Sequence, residues 1–172
     1  MDNMRTASAR TELLDAIDAR FNVDHRVDED GSIWVSVGRD RLFELLEYAR
    51  SAGFDHCSAI SVTDWPEDEA FELTYHLWSY RDKVLLTVKA RIDRREPTVG
   101  SAIPLWGASA QIHERELHEL FGVRFEGNPD LAPLFLENWE GPPPFRKDFD
   151  WREHVRAEYY DKGDPRDQGY WD

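Results

Sequence analysis

Glu114–Phe149 reads ERELHELFGVRFEGNPDLAPLFLENWEGPPPFRKDF, and its reading decides how the rest of the chain is organised. Glu114 to Phe121 has the spacing of the end of an amphipathic helix, which the sequence predicts over about Ala108–Phe121. Gly122 to Leu136 is a turn-rich loop. Pro142 to Phe149 is a run of three prolines followed by Arg146, Lys147 and Asp148.

Outward from this stretch toward the N-terminus the chain alternates periods. Leu13, Leu14, Ile17 and Phe21 fall at helical spacing and predict a helix from about Ser8 to Arg20. Val23–Val27 and Ser32–Val37 read as strands. Asp30-Gly31 between them is a hairpin signal for a type I′ turn, which needs positive φ at both central residues. Leu42, Phe43, Leu45, Leu46 and Ala49 form the apolar stripe of a helix over Asp40–Ala52, with Gly53 suited to its C-terminal cap. Phe54–Val62, Phe71–Tyr80 and Lys83–Ile92 read as strands, the last two joined by a tight turn near Arg81-Asp82. Arg91–Gly100 is a polar connector and Ser101–Trp106 a short turn. The order α-β-β-α-β-β-β-α predicts an α+β fold, a mostly antiparallel sheet with helices packed on one face, followed by an extended C-terminal arm. The division expected is a domain over residues 1–136 and an arm over 137–172.

Composition narrows the function. The formal charge is −14, from 35 acids and 21 bases. Such a surface repels phosphate backbones and anionic headgroups, which argues against nucleic acid or lipid as a direct partner. Seventeen of the bases are arginine and four lysine, a bias that genome composition, mild halophily or bidentate pairing would each produce. The one cysteine, Cys57, can form no internal disulfide and reads as a buried structural thiol. No run reaches the ~18 apolar residues of a membrane span, and Met1–Phe21 lacks the apolar centre of a secretory signal.

The obvious catalytic patterns fail. His113 and His118 are five apart, which turns their side chains about 140° from each other on a helix, so the zinc-protease pattern is not met. Glu114, Glu116, Glu119 and the two histidines could supply an acid–base pair. They also fit a solvated helix face with Glu114–His118 and Arg115–Glu119 pairs at i,i+4, and that reading is preferred. Neither a Gly-rich phosphate loop nor a GxSxG serine occurs. His76 sits in a strand run and reads as structural. The segment from Glu137 onward carries Trp139, Trp151 and Trp171, Tyr159, Tyr160 and Tyr170, and Pro142–Pro144 and Pro165. Triple proline imposes an extended path with free carbonyls. An arm rich in aromatics and arginine can wrap its own domain or anchor on another protein, and the second is preferred.

At this point the stretch resembles the 30 kDa subunit family of complex I (the NADH–quinone oxidoreductase), shared with membrane-bound nickel–iron hydrogenases and F420H2 dehydrogenases. Glu114, Arg115, Glu116, Glu119, Leu120, Phe121, Gly122 and Val123 match the family core. Phe125, Gly127, Pro129, Asp130 and Leu131 match its next element, and Trp139, Arg146, Lys147, Asp148 and Phe149 its last. The likeness is dense over Trp106–Phe149 and looser back to Phe54. Asn128 stands where the family usually has His, Ala132 where it often has a base, and Gly141–Phe145 replaces the family's usual lead into Arg-Lys-Asp. The last of these, with the short tail, resembles hydrogenase-type or archaeal relatives more closely, and together the departures leave the electron donor open.

The resemblance implies a non-catalytic subunit of the peripheral arm of a complex I-like enzyme. It would hold no cofactor of its own. Its partners would be an iron–sulfur subunit and a large quinone-site or hydrogenase-like subunit, with a flavin or nickel–iron centre elsewhere depending on the complex. Its place would be the cytoplasmic side of the cell membrane, peripheral, held by those partners. The motif residues would form the partner interface. Three charges in one turn fan around a helix, so at least one of Glu114, Arg115 and Glu116 is expected in a buried or interfacial pair, with Arg146 or Lys147 as the basic member. Gly122 is expected to cap the helix, and Gly127 and Pro129 to shape the next turn. The remaining alternatives are the equivalent subunit of a hydrogenase or F420H2 dehydrogenase, and a stand-alone hydrolase using Glu114, His118 and Glu119.

Overall fold

A computed structural model describes residues 2–21 and 23–160. Helix α1 spans Asp2–Phe21, strand β1 Asp24–Val27, strand β2 Ile33–Gly38 and helix α2 Arg39–Ser51. Strands β3 (His56–Trp65), β4 (Ala70–Ser79) and β5 (Val84–Asp93) follow as a meander. Strand β6 (Thr98–Gly100), the short helix α3 (Ile103–Trp106), helix α4 (Ala108–Phe121) and strand β7 (Arg124–Glu126) complete the scaffold. A short helix α5 spans Trp151–Val155, capped by Asp150, whose side chain accepts from the Arg152 and Glu153 amides. Tyr170, Trp171 and Pro165, assigned above to the arm, lie outside the described residues.

The five-stranded sheet runs β1-β2-β5-β4-β3. All its pairs are antiparallel except β2 with β5, which pair in parallel from Ile33↔Leu86 to Gly38↔Arg91. Register puts Ile33, Val35 and Val37 beside Leu86, Val88 and Ala90, then Leu77, Tyr75 and Leu73, then Cys57, Ile60 and Val62. This alternation covers one face, because successive side chains of a strand point to opposite sides. Ile17 and Phe21 of α1, Leu42, Leu45, Leu46 and Ala49 of α2, and Ala110 and Leu117 of α4 join the same core. The α+β class with helices on one face is therefore the observed one. Cys57 is buried in this core, and its burial is the main reason the thiol is pushed up to about 12, so it stays protonated at neutral pH.

Three expectations need correction. Asp28–Ser32 connects β1 to β2 with the Gly31 amide bonded to the Asp28 carbonyl, and Gly31 alone has positive φ, so the turn is not type I′. The polar connector contains β6, which pairs in parallel with β7 as Thr98↔Arg124, Val99↔Phe125 and Gly100↔Glu126. The loop after α4 accordingly opens with a strand, which buries Phe125 and Val99. Strand β3 also runs three residues further than predicted, to Trp65, and so carries Asp64 into the core.

Candidate functional site

Helix α4 lies against β3 and carries the site on three sides. Its inward positions are Ala110, Glu114, Leu117 and Leu120, all buried. Glu114 thus takes a core position and is fully sealed from solvent. Its carboxylate accepts from the Ala102 amide at 2.6 Å, the Ser101 hydroxyl at 2.8 Å and the Asn128 side-chain amide at 2.9 Å. None of these donors is charged. Burial, the largest influence, raises the Glu114 carboxyl above the ordinary range, and the three hydrogen bonds offset only part of that. For a buried member of the Glu114-Arg115-Glu116 trio the sequence points to Arg146 or Lys147 as the basic partner. Both lie beyond the C-terminal end of α4, and the acid that faces inward is met by the α3 entry and the Asn128 turn instead.

The flank of α4 grips the loop that follows β7. Arg115 donates from Nε to the Ala132 carbonyl at 3.0 Å and from Nη2 to the Pro133 carbonyl at 2.9 Å. One turn later Glu119 accepts the Leu134 amide at 3.0 Å, the Phe135 amide at 3.0 and 3.2 Å and the Leu136 amide at 2.6 Å. Consecutive amides converging on one anion form a nest. Burial works to raise the Glu119 carboxyl, but the amides of Leu136, Phe135 and Leu134 together with the Arg115 charge outweigh it and hold it below the ordinary range. Neither i,i+4 pair read from the sequence is bonded among the described residues: Glu114 is buried on uncharged donors, His118 turns to the Val123 carbonyl, and Arg115 and Glu119 are both directed at the backbone of residues 132–136. Before this grip, Asn128 and Asp130 close two successive turns, their side-chain oxygens accepting the Asp130 and Ala132 amides.

The C-terminal end of α4 receives the arm. Gly122 caps the helix at φ 77, as expected, its amide bonded to the His118 carbonyl. The last carbonyls of a helix have no partner within it. Here the Phe145 amide bonds the Leu120 carbonyl at 3.0 Å and Arg146 Nε the Phe121 carbonyl at 2.8 Å. The Arg146 guanidinium also lies 5.1 Å from the centre of the Phe71 ring. Phe121 stands edge-on between Phe71 and Phe145.

A second anchor joins β3, the β5–β6 connection and the arm. Buried Asp64 accepts two bonds from Arg94, at 2.7 and 3.1 Å, and the Lys147 amide at 2.8 Å. The other edge of Arg94 binds Asp148 at 2.6 and 3.0 Å. Burial would raise the Asp64 carboxyl, but the Arg94 bonds, the Lys147 amide and the Arg94 charge hold it low. Asp148 is held low chiefly by its bonds to Arg94. Lys147 Nζ sits 5.5 Å over the Trp65 ring. Beyond it Trp139 packs on Phe149 and His154, and its indole N–H bonds the Pro142 carbonyl. Gly141 leaves room for that ring, since a Cβ there would come within 2.6 Å of it.

The structure therefore brings Glu114, Arg115, Glu119, Phe121, Gly122, Arg146, Lys147 and Asp148 together as internal fasteners, while Pro129 and Asp130 lie on the exposed turn. Glu116 shares in none of these bonds. Sequence reasoning missed Asp64, Arg94 and Ser101. The one signal was Asp64 itself, an acid in phase with Ile60 and Val62 on a strand. The hydrolase alternative has no geometry: Glu114 is sealed, His118 Nδ1 donates to the Val123 carbonyl at 2.8 Å and Glu119 is filled by amides. Among the described residues no group of three His, Cys, Asp or Glu side chains could hold a metal ion, and no helix is long and apolar enough to cross a membrane.

Comparison with known proteins covers the site and most of this core. Residues 35–155 match the family described as respiratory-chain NADH dehydrogenase, 30 Kd subunit. The chain is 37% identical over 116 residues to one of the subunits of the F(420)H(2) dehydrogenase of Methanosarcina mazei, covering 66% of this chain and 73% of that one. It is 39% identical over 114 residues to a subunit of the NADH-quinone oxidoreductase of Moorella thermoacetica, covering 66% and 76%. Among solved structures it is similar to a chain of the membrane-bound sulfane sulfur reductase, an archaeal respiratory membrane complex, with TM-score 0.79 and 27% identity over 91% of this chain and 95% of that one. A trypsin-resistant fragment (1-134) of Nqo5 is similar with TM-score 0.62 and 27% identity over 72% of this chain and 99% of that one.

Proposed function

Because this chain belongs to the 30 kDa subunit family of respiratory-chain NADH dehydrogenases, we propose that it is a non-catalytic brace in the peripheral arm of a complex I-like oxidoreductase. One observation carries this reading: the bonded motif charges are spent on fastening, Glu114, Arg115 and Glu119 holding the segments around residues 102 and 128–136 and Asp148 tying the arm to Arg94. A body built this way sets distances. Its neighbours would be an iron–sulfur subunit and a large quinone-site subunit, the clusters residing in them and a flavin elsewhere in the complex. The arm would dock against them, and they would hold the chain at the cytoplasmic side of the membrane. The similarity to an F(420)H(2) dehydrogenase subunit and to a sulfane sulfur reductase chain supports a second reading, the same brace in a complex with another electron donor, including a membrane-bound nickel–iron hydrogenase.

The test is a tagged purification from gently solubilised native membranes with identification of the accompanying chains. Stoichiometric recovery of an iron–sulfur subunit and a large quinone-site or hydrogenase-like subunit is expected. A flavin-binding NADH module among them separates the first reading from the second. Recovery of the chain alone overturns both.

A further inference from the structure

We propose that Phe135 is a preorganised anchor that enters an apolar pocket, rimmed by basic side chains, on a neighbouring subunit of the complex; this rests on the reading of the chain as such a subunit. A single exposed apolar side chain needs no explanation by itself. What needs one here is the backbone beneath it. Six hydrogen bonds fix residues 132–136, two donated by Arg115 to carbonyls and four accepted by Glu119 from amides, and the amide of Phe135 is bonded to both oxygens of the Glu119 carboxylate. Leu131 packs on the core and Leu134 and Leu136 are half-buried, while Phe135 is 61% exposed. The loop is thus held with its leucines inward and its phenylalanine outward. Phe145, the other exposed phenylalanine of this region, already rests its ring against Phe121.

Rigid display of an aromatic side chain is what a binding anchor requires, because the ordering cost of association has then been met within the free chain. The charge around it selects the occupant. From Gly127 to Phe145 the chain has three acids, Asp130, Glu137 and Glu140, all exposed, and no lysine or arginine. A second copy would set these acids against their equivalents, and an anionic bilayer would repel them. A protein pocket with an apolar floor and a basic rim complements both the ring and its surroundings.

The experiment compares the tagged full-length chain with Phe135→Ala and Phe135→Leu in purification from native membranes, alongside thermal unfolding of each isolated chain. Recovery of partner subunits under a salt wash is expected to fall at least about tenfold for Phe135→Ala, with Phe135→Leu keeping most of it and unfolding temperatures unchanged. Wild-type recovery by Phe135→Ala overturns the anchor while the brace reading stands, whereas wild-type chain recovered without partners overturns both. Two further outcomes overturn the choice of occupant: a dimer of the isolated chain that Phe135→Ala dissociates in sedimentation, or flotation with phosphatidylcholine–phosphatidylglycerol vesicles that Phe135→Ala abolishes.

Discussion

At the scale of single residues, the Asp64–Arg94–Asp148 chain separates two kinds of ion pair. Asp64 is buried, so removing Arg94 strands a charge away from water. Arg94→Ala is expected to cost about 3 kcal/mol or more. Asp148 lies at the exposed end of the same guanidinium, and Asp148→Asn is expected to cost less than about 1 kcal/mol. Urea denaturation of the two variants checks the ordering, and equal costs would refute the distinction. Glu114 predicts a pH effect of the opposite sign to these pairs. Asp64, Glu119 and Asp148 titrate lower in the folded chain, so their contribution is present above the ordinary carboxylate range and is lost as pH falls through the folded values. Glu114 titrates higher when folded, so the folded state binds the extra proton and stability declines as pH rises from the ordinary range to the raised value. The stability difference between the wild type and Glu114→Gln is expected to shrink or reverse as pH rises from about 4 toward 7. A difference independent of pH would contradict this. Tyr75 adds a cost at the same level, since its buried hydroxyl has no hydrogen-bond partner among the described residues.

At the scale of elements, periodicity made most of the scaffold readable. Helices α2 and α4 and strands β4 and β5 are long enough to show their period, and their boundaries fall within a residue or two of the prediction. Strands β6 and β7 have three residues each and can show none. Their pairing is dictated by the burial of Val99 and Phe125, which only the folded chain reveals. The Asp64–Arg94–Asp148 chain was illegible for another reason. Its members are 30 and 54 residues apart along the chain, and each alone looks like ordinary surface charge. That Glu114, of the three adjacent charges, is the buried one was illegible for a similar reason. Three adjacent charges fan around a helix, and the core decides which one turns inward. Gly122 joins helix to arm, and its predicted cap has a second role. A Cβ there would come within 3.0 Å of Pro143 and 3.1 Å of Arg146 at a positive φ. Gly122→Ala is expected to cost about 1–2 kcal/mol from the left-handed backbone alone. It should also expose the 140–150 segment to limited proteolysis, and an unchanged cleavage pattern would show that the arm is not seated there.

At the scale of the whole molecule, the two choices left open for the arm are not exclusive. Residues 128–149 wrap their own domain through Arg115, Glu119, Asp64 and Arg94, and the same wrapping leaves Phe135, Phe145 and Trp151 facing outward. In the brace reading proposed above, the motif residues would act one step back from a partner interface, by holding the segment that meets it. Arg115→Ala is accordingly expected to lower recovery of partner subunits while the scaffold keeps its unfolding temperature to within a few degrees. Full recovery would deny the grip any part in assembly.

That grip has a consequence for how such a body can change over time. Arg115 and Glu119 read peptide groups, which every residue supplies, rather than side chains. The fastening is therefore indifferent to the outward side chains of positions 132–136, provided no proline removes an amide that Glu119 holds. Side chains on this loop can be exchanged to suit a new neighbour while the mount that carries them stays the same. One scaffold can in this way be refitted for different machines by altering a few letters of its faceplate.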